Sequence, residues 1–119
     1  MNKENALADK STMFAIRIVN CCKTLQEVRK EYIMSNQILR SGTSIGANIH
    51  EGIYAQSRAD FVNKMGISLK EASETSYWLN ILHKTDYLSD KEYESLKSEI
   101  DELLRIIISS IKTAKKNVE

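Results

Sequence analysis

The chain has 119 residues, of which 42% are hydrophobic and 28% charged, with a formal net charge of +1; that suffices for one packed core, is too short for two, and is far from a disordered composition. Four glycines and no proline leave few tight turns for an all-β design and force no helix to kink. No apolar run approaches the roughly 20 residues of a membrane helix and residues 1–10 hold no signal-peptide core, so a cytoplasmic location is expected, while the near-neutral charge neither demands nor excludes an acidic partner.

From Ala8 to Lys30 the apolar positions Phe14, Ile18, Cys21, Leu25 and Val28 step by four, three, four and three, which is one face of an α-helix. Arg17, Lys23, Arg29 and Lys30 fall off that stripe and are expected in solvent. Cys21 and Cys22 are adjacent, so on a helix their side chains diverge by about 100° and cannot close an ordinary disulfide. Both read as small core fillers.

The stretch from Ile33 to Ala55 continues the helical period with Ile38, Ile45, Ile49 and Ile53 and interleaves Ser41, Gly42, Ser44, Gly46 and Ala47. Gly42 and Gly46 share a face, and each costs about 1 kcal/mol against alanine unless packing recovers it. A close crossing with another helix is the expected recovery. The rival is a loop over residues 41–46; the isoleucine register running through the glycines favours an unbroken helix. Gly52, Gln56 and Ser57 mark a turn.

Ser57 to Asp60 reads as a variant capping box opening a helix over residues 58–84, with Phe61, Met65, Ser68, Ala72, Thr75, Leu79 and Leu82 on its inner face. Ser89 to Glu92 is a second box, opening a helix over 90–115 with Tyr93, Leu96, Ile100, Leu103, Ile107 and Ile111 in one stripe. Leu104, Ile106 and Ile108 exceed one seam, and that surplus suggests a subunit interface. Four such segments joined by short connections predict an all-α, antiparallel up-down four-helix bundle, with residues 1–119 as a single domain.

Reactive constellations are sparse. His50-Glu51 opens like a zinc-binding H-E-x-x-H, but the second histidine position is Tyr54. The run Arg40 to Gly46 is glycine-containing but lacks the lysine and hydroxyl of a phosphate loop. Glu71 and Glu74, three apart with Trp78 one turn on, do not form the Glu-x-x-His of a di-iron bundle; a structural role, with Arg40 neutralising one or both, is the better reading. No catalytic centre, metal or cofactor is expected. Arg17, Lys23, Lys112, Lys115 and Lys116 are the candidates for phosphate contact, against the default of a solvated face.

The segment from Gln37 to Gly52, QILRSGTSIGANIHEG, closely resembles the signature of the bacterial four-helix-bundle proteins encoded in ribosomal RNA intervening sequences, and Asp60-Phe61 with Leu69 to Leu79 resembles the same family's third helix. The resemblance implies an up-down bundle assembling as a homopentameric ring. It also implies similarity to the accessory protein of diversity-generating retroelements, a nucleic-acid and reverse-transcriptase binder, although that protein is strongly basic and this chain is not. Members are often labelled ribosomal proteins. On this resemblance Arg40, Glu51, Glu71 and Glu74 are polar signature positions, expected as buried or interface charge pairs. The expected role is a non-catalytic, self-associating protein contacting RNA or DNA, or a protein-interaction scaffold without nucleic acid.

Overall fold

The computed structural model describes residues 3–116. It places them in four helices, α1 (Lys3–Glu27), α2 (Ile33–Ile53), α3 (Arg58–Lys84) and α4 (Asp90–Lys116). Each packs on its neighbours in the chain and α4 closes against α1, giving the antiparallel up-down four-helix bundle that short connections dictate. The particle measures 50 × 23 × 21 Å.

Local chemistry sets the helix ends. Ser57 Oγ accepts from the Asp60 N–H at 3.0 Å, and Ser89 and Glu92 form a reciprocal capping box at 3.0 and 3.1 Å. These serines satisfy N–H groups that the first turns leave without helical partners. α2 starts differently: the Glu31 carboxylate, 8% exposed, accepts from the backbone N–H groups of Ile33, Met34 and Ser35 at 3.1, 3.1 and 2.7 Å. A negative charge there also suits the helix dipole. After α1 and α3 the chain reverses through Lys30 and Asp86, both at positive φ (57° and 67°). The Tyr87 N–H then reaches back to Leu82 O at 2.9 Å, a left-handed closure of the Schellman type.

One core runs the length of the bundle. α1 contributes Leu7, Phe14, Ile18, Cys22 and Leu25, α2 contributes Ile38, Ile45 and Ile49, and Leu88 seals the α3–α4 turn. From α3 come Met65, Ala72, Leu79 and Leu82, and from α4 Leu96, Ile100, Leu103 and Ile107. Each large aliphatic here contributes about 1.5–3 kcal/mol by leaving water.

Helix one departs most from the sequence expectation. It begins before Ala8, because Leu7 and Ser11 extend the buried stripe, and it ends at Glu27 rather than Lys30. Val28, expected on the stripe, lies past the helix end and is 71% exposed. The buried thiol is Cys22 rather than Cys21: a 3.6-residue period drifts past the four-three alternation, so the stripe passes from Ile18 to Cys22. α2 stops at Ile53, short of Ala55, and Gly52 is a buried residue of its last turn, not part of the connection.

Candidate functional site

The polar constellation of the signature lies along α2, which is flanked on both sides by close contacts. Toward α1, a Cβ built on Gly42 would stand 2.9 Å from Ile18 Cγ2, and one on Gly46 would stand 3.2 Å from Ser11 Oγ. The helix is unbroken through both glycines, so they are packing contacts and the loop alternative is excluded. Further along the same seam, the Cys22 thiol donates to Ser35 O at 3.3 Å, and Gln26 Nε2 donates to Ser35 Oγ and Asn36 Oδ1 at 3.0 Å each.

Toward α3, small hydroxyl residues replace apolar bulk. Ser68 Oγ donates to Ile45 O at 2.9 Å, while the Thr75 hydroxyl and Ser41 Oγ lie 2.9 Å apart, all buried. Each of these three hydroxyls thus has a partner, without which burial would cost a few kcal/mol. At the outer edge of this seam the Arg40 guanidinium bridges Glu71 at 3.2 Å and Glu74, and Trp78 Nε1–H donates to Glu74 at 3.2 Å. The hydrogen bond from Arg40, followed by that from Trp78, holds the Glu74 carboxyl below its ordinary range. Lys64 meets Glu51 at 3.1 Å, one helix end away. These four signature residues therefore staple α2 to α3 from outside. Arg40 is half exposed, so the pairs rim the seam and are not sunk within it.

Reactive groups are dispersed or engaged elsewhere. His50 Nδ1–H donates back to Gly46 O at 3.1 Å. His83 donates from Nε2 to Asp90 at 2.6 Å and stacks on Tyr93 with ring centroids 4.1 Å apart. Burial pushes the thiol of Cys21 up to about 11 and that of Cys22 up to about 12, so neither is a thiolate nucleophile near neutrality. Among the described residues no three His, Cys, Asp or Glu side chains gather as metal ligands, and no helix is long and apolar enough to cross a membrane.

The phosphate-contact candidates separate in space. Arg17 is not free: it bonds Ser95 at 3.0 Å and pairs with Glu99 of α4, a partner that nothing near it in sequence announces. Lys23 lies two turns beyond Arg17, toward the α3–α4 turn, away from the C-terminal end of α4 that carries Lys112, Lys115 and Lys116.

Glu31 and the hydroxyls of Ser35, Ser41, Ser68 and Thr75 were not identifiable beforehand as a polar framework around α2. Small size at helical positions is the only signal for the four hydroxyl residues, and Glu31, in the connection before α2, carries none.

An antiparallel four-helix bundle with α2 packed tightly on both sides and an Arg–Glu–Glu staple outside belongs to the class of all-α up-down four-helix bundles. The chain belongs to the 23S rRNA-intervening sequence protein family, whose model matches residues 3–109. Among solved structures it is similar to a protein of unknown function from the S23 ribosomal protein family of Bacteroides thetaiotaomicron. That similarity amounts to 55% identity and a TM-score of 0.92, over 93% of this chain and 99% of that one. No functionally curated protein matches the chain.

Proposed function

We propose that this protein is a non-catalytic, cytoplasmic scaffold that self-associates into a ring, a homopentamer as in the family resemblance, and binds RNA or DNA in that assembled form. The observation that carries the reading is apolar surface left over after the core is complete. Met13 and Ile16 lie on the outward side of α1, 62% and 51% exposed, and Ile108 of α4 is 41% exposed beside half-buried Leu104 and Ile111. Apolar patches on two different faces suit a heterologous contact, which closes into a ring when its rotation permits.

Light scattering of the purified protein tests the assembly: a mass near five times the 13.6 kDa protomer is expected, and a monomer at micromolar concentration would reject it. A mobility shift of structured RNA at low salt, where phosphate contacts are strongest, tests the nucleic-acid part. The engagement of Arg17 by Glu99 favours a second reading, a protein-interaction scaffold without nucleic acid. Co-purification of a protein partner by a ring that shifts no RNA would select it.

A further inference from the structure

The net charge of +1 conceals a polar distribution along α4. From Asp90 to Glu102 the helix carries six carboxylates and two lysines; from Leu103 to Lys116 it carries Arg105, Lys112, Lys115 and Lys116 and no carboxylate. Neighbouring residues compensate the acidic half. Glu99 pairs with Arg17, Asp101 with Lys97 and Glu102 with Lys10. In the basic half all four cations are exposed, and no ion pair among the described residues involves them.

Arg105 and Lys112 lie about one turn to either side of Ile108 on α4, and Lys115 and Lys116 follow in its last turn. The antiparallel fold brings the starts of α1 and α3 to the same end, adding the exposed Arg58, which has no ion pair among the described residues, together with the carboxylates Asp9 and Asp60. At the opposite pole cations and acids alternate, and Arg29 is occupied by the carbonyls of Asp86 and Tyr87 and by the Tyr87 ring. Lys112 stands roughly 16 Å along the helix from Asp101, beyond the roughly 10 Å screening length at 0.1 M salt. Lys112, Lys115 and Lys116 are therefore screened from the acidic half of their own helix, whereas Arg105 stands one turn from Asp101 and Glu102.

We infer that this protein engages the phosphate backbone of nucleic acid through one pole only, the one built by Arg105, Lys112, Lys115 and Lys116. The inference deepens the proposed function and rests on its ring. Rotation about an axis along the 50 Å bundle carries every basic pole to the same face, so the copies add their cations on one rim. An antiparallel pairing of two α4 helices would instead set Lys112 against Glu94 and Arg105 against Asp101 and cancel the field.

Two triple variants of equal charge change test this: Lys112→Glu/Lys115→Glu/Lys116→Glu at the basic pole, and Lys23→Glu/Lys30→Glu/Lys91→Glu at the other. All six side chains are exposed, and none has an ion pair among the described residues, so both variants should fold, which circular dichroism verifies. Fluorescence anisotropy with a labelled single-stranded oligonucleotide and a labelled RNA hairpin at low salt gives affinity and its salt slope. The basic-pole variant is expected to lose at least about tenfold in affinity and to flatten the slope by about two, while the other stays within about threefold of wild type. Equal losses in both variants overturn the one-pole inference, as does wild-type protein that binds neither probe. Light scattering on the same samples separates the two claims: a monomeric wild type sinks the ring, and a ring whose binding ignores the pole sinks the inference alone. A salt-labile dimer that binds no oligonucleotide sinks both.

Discussion

Gly42 of α2 faces Ile18 of α1 so closely that a Cβ on the glycine would lie 2.9 Å from Ile18 Cγ2 and 3.1 Å from Ile18 Cγ1. The obstacle is a β-branched side chain, stiff at χ1 on a helix, so it cannot swing aside without strain. Gly42→Ala is expected to destabilise by about 1–2 kcal/mol, the overpacking cost exceeding the gain in helix propensity of about 1 kcal/mol.

Gly66 of α3 is the internal control. Nothing lies within 4 Å of a Cβ built there, so Gly66→Ala is expected to stabilise the fold by about 0.5–1 kcal/mol. Urea unfolding of both variants reads the contrast. Stabilisation by both would mean that the α1–α2 crossing is looser than described.

How much of this was legible in the sequence follows from which signals are local. The boundaries of α3 and α4 are readable because Ser57 and Ser89 are ordinary N-caps with an acidic residue three positions on. The end of α1 is not, because a lysine rather than a glycine or asparagine takes the left-handed position after it. Cys21 and Cys22 differ by one step of a stripe several residues wide, and only the packed partner helix selects Cys22. Gly52 looks like turn punctuation, yet it is small because Phe61 and Lys64 of α3 pack against it. The pairing of Arg40 with Glu71 and Glu74 can be reasoned from the cost of a half-buried carboxylate. That of Arg17 with Glu99, across 82 positions, depends on how α1 and α4 are set in register.

The cap at the start of α2 yields a second stability prediction. Glu31 satisfies three backbone N–H groups and is nearly buried, more than a single serine cap achieves. Glu31→Ala is expected to cost about 1–2 kcal/mol, and Glu31→Gln, which keeps an acceptor but loses the charge, less. Equal losses in the two variants would assign the effect to the charge alone.

The Arg40 staple predicts behaviour in acid. Glu74 ionises below its ordinary value of 4.5, chiefly because Arg40 hydrogen-bonds it and secondarily because Trp78 does. A depressed carboxylate contributes stability that is complete above the unfolded value and is lost as pH falls through the lower folded one. Arg40→Met should therefore unfold more easily at neutral pH and lose less stability than wild type on going from about pH 6 to about pH 3. Glu74 is partly exposed, so solvent screening keeps the difference small. The Glu74 side-chain carboxyl titration by NMR reads the same coupling directly, and an unchanged midpoint in Arg40→Met would refute it.

The thiols predict the alkaline limb. Burial is the main cause that raises Cys21 from 9.0 to about 11, with Glu92 adding to it; burial, then Cys21 and Glu31, raise Cys22 from 9.0 to about 12. The unfolded chain releases these protons near pH 9 while the folded chain retains them, so the folded state binds more protons over the interval and rising pH favours unfolding. The stability they contribute is complete below about pH 9 and is lost as pH climbs through the folded values. Cys22→Ala is expected to show a shallower fall in urea midpoint between about pH 9 and pH 11 than wild type, since tyrosines and lysines titrate alike in both. At about pH 8 a thiol reagent should modify Cys22 no faster than the bundle opens. Parallel alkaline curves for the two proteins, or immediate labelling of Cys22 in the folded state, would show that the thiol is not held protonated between α1 and Ser35.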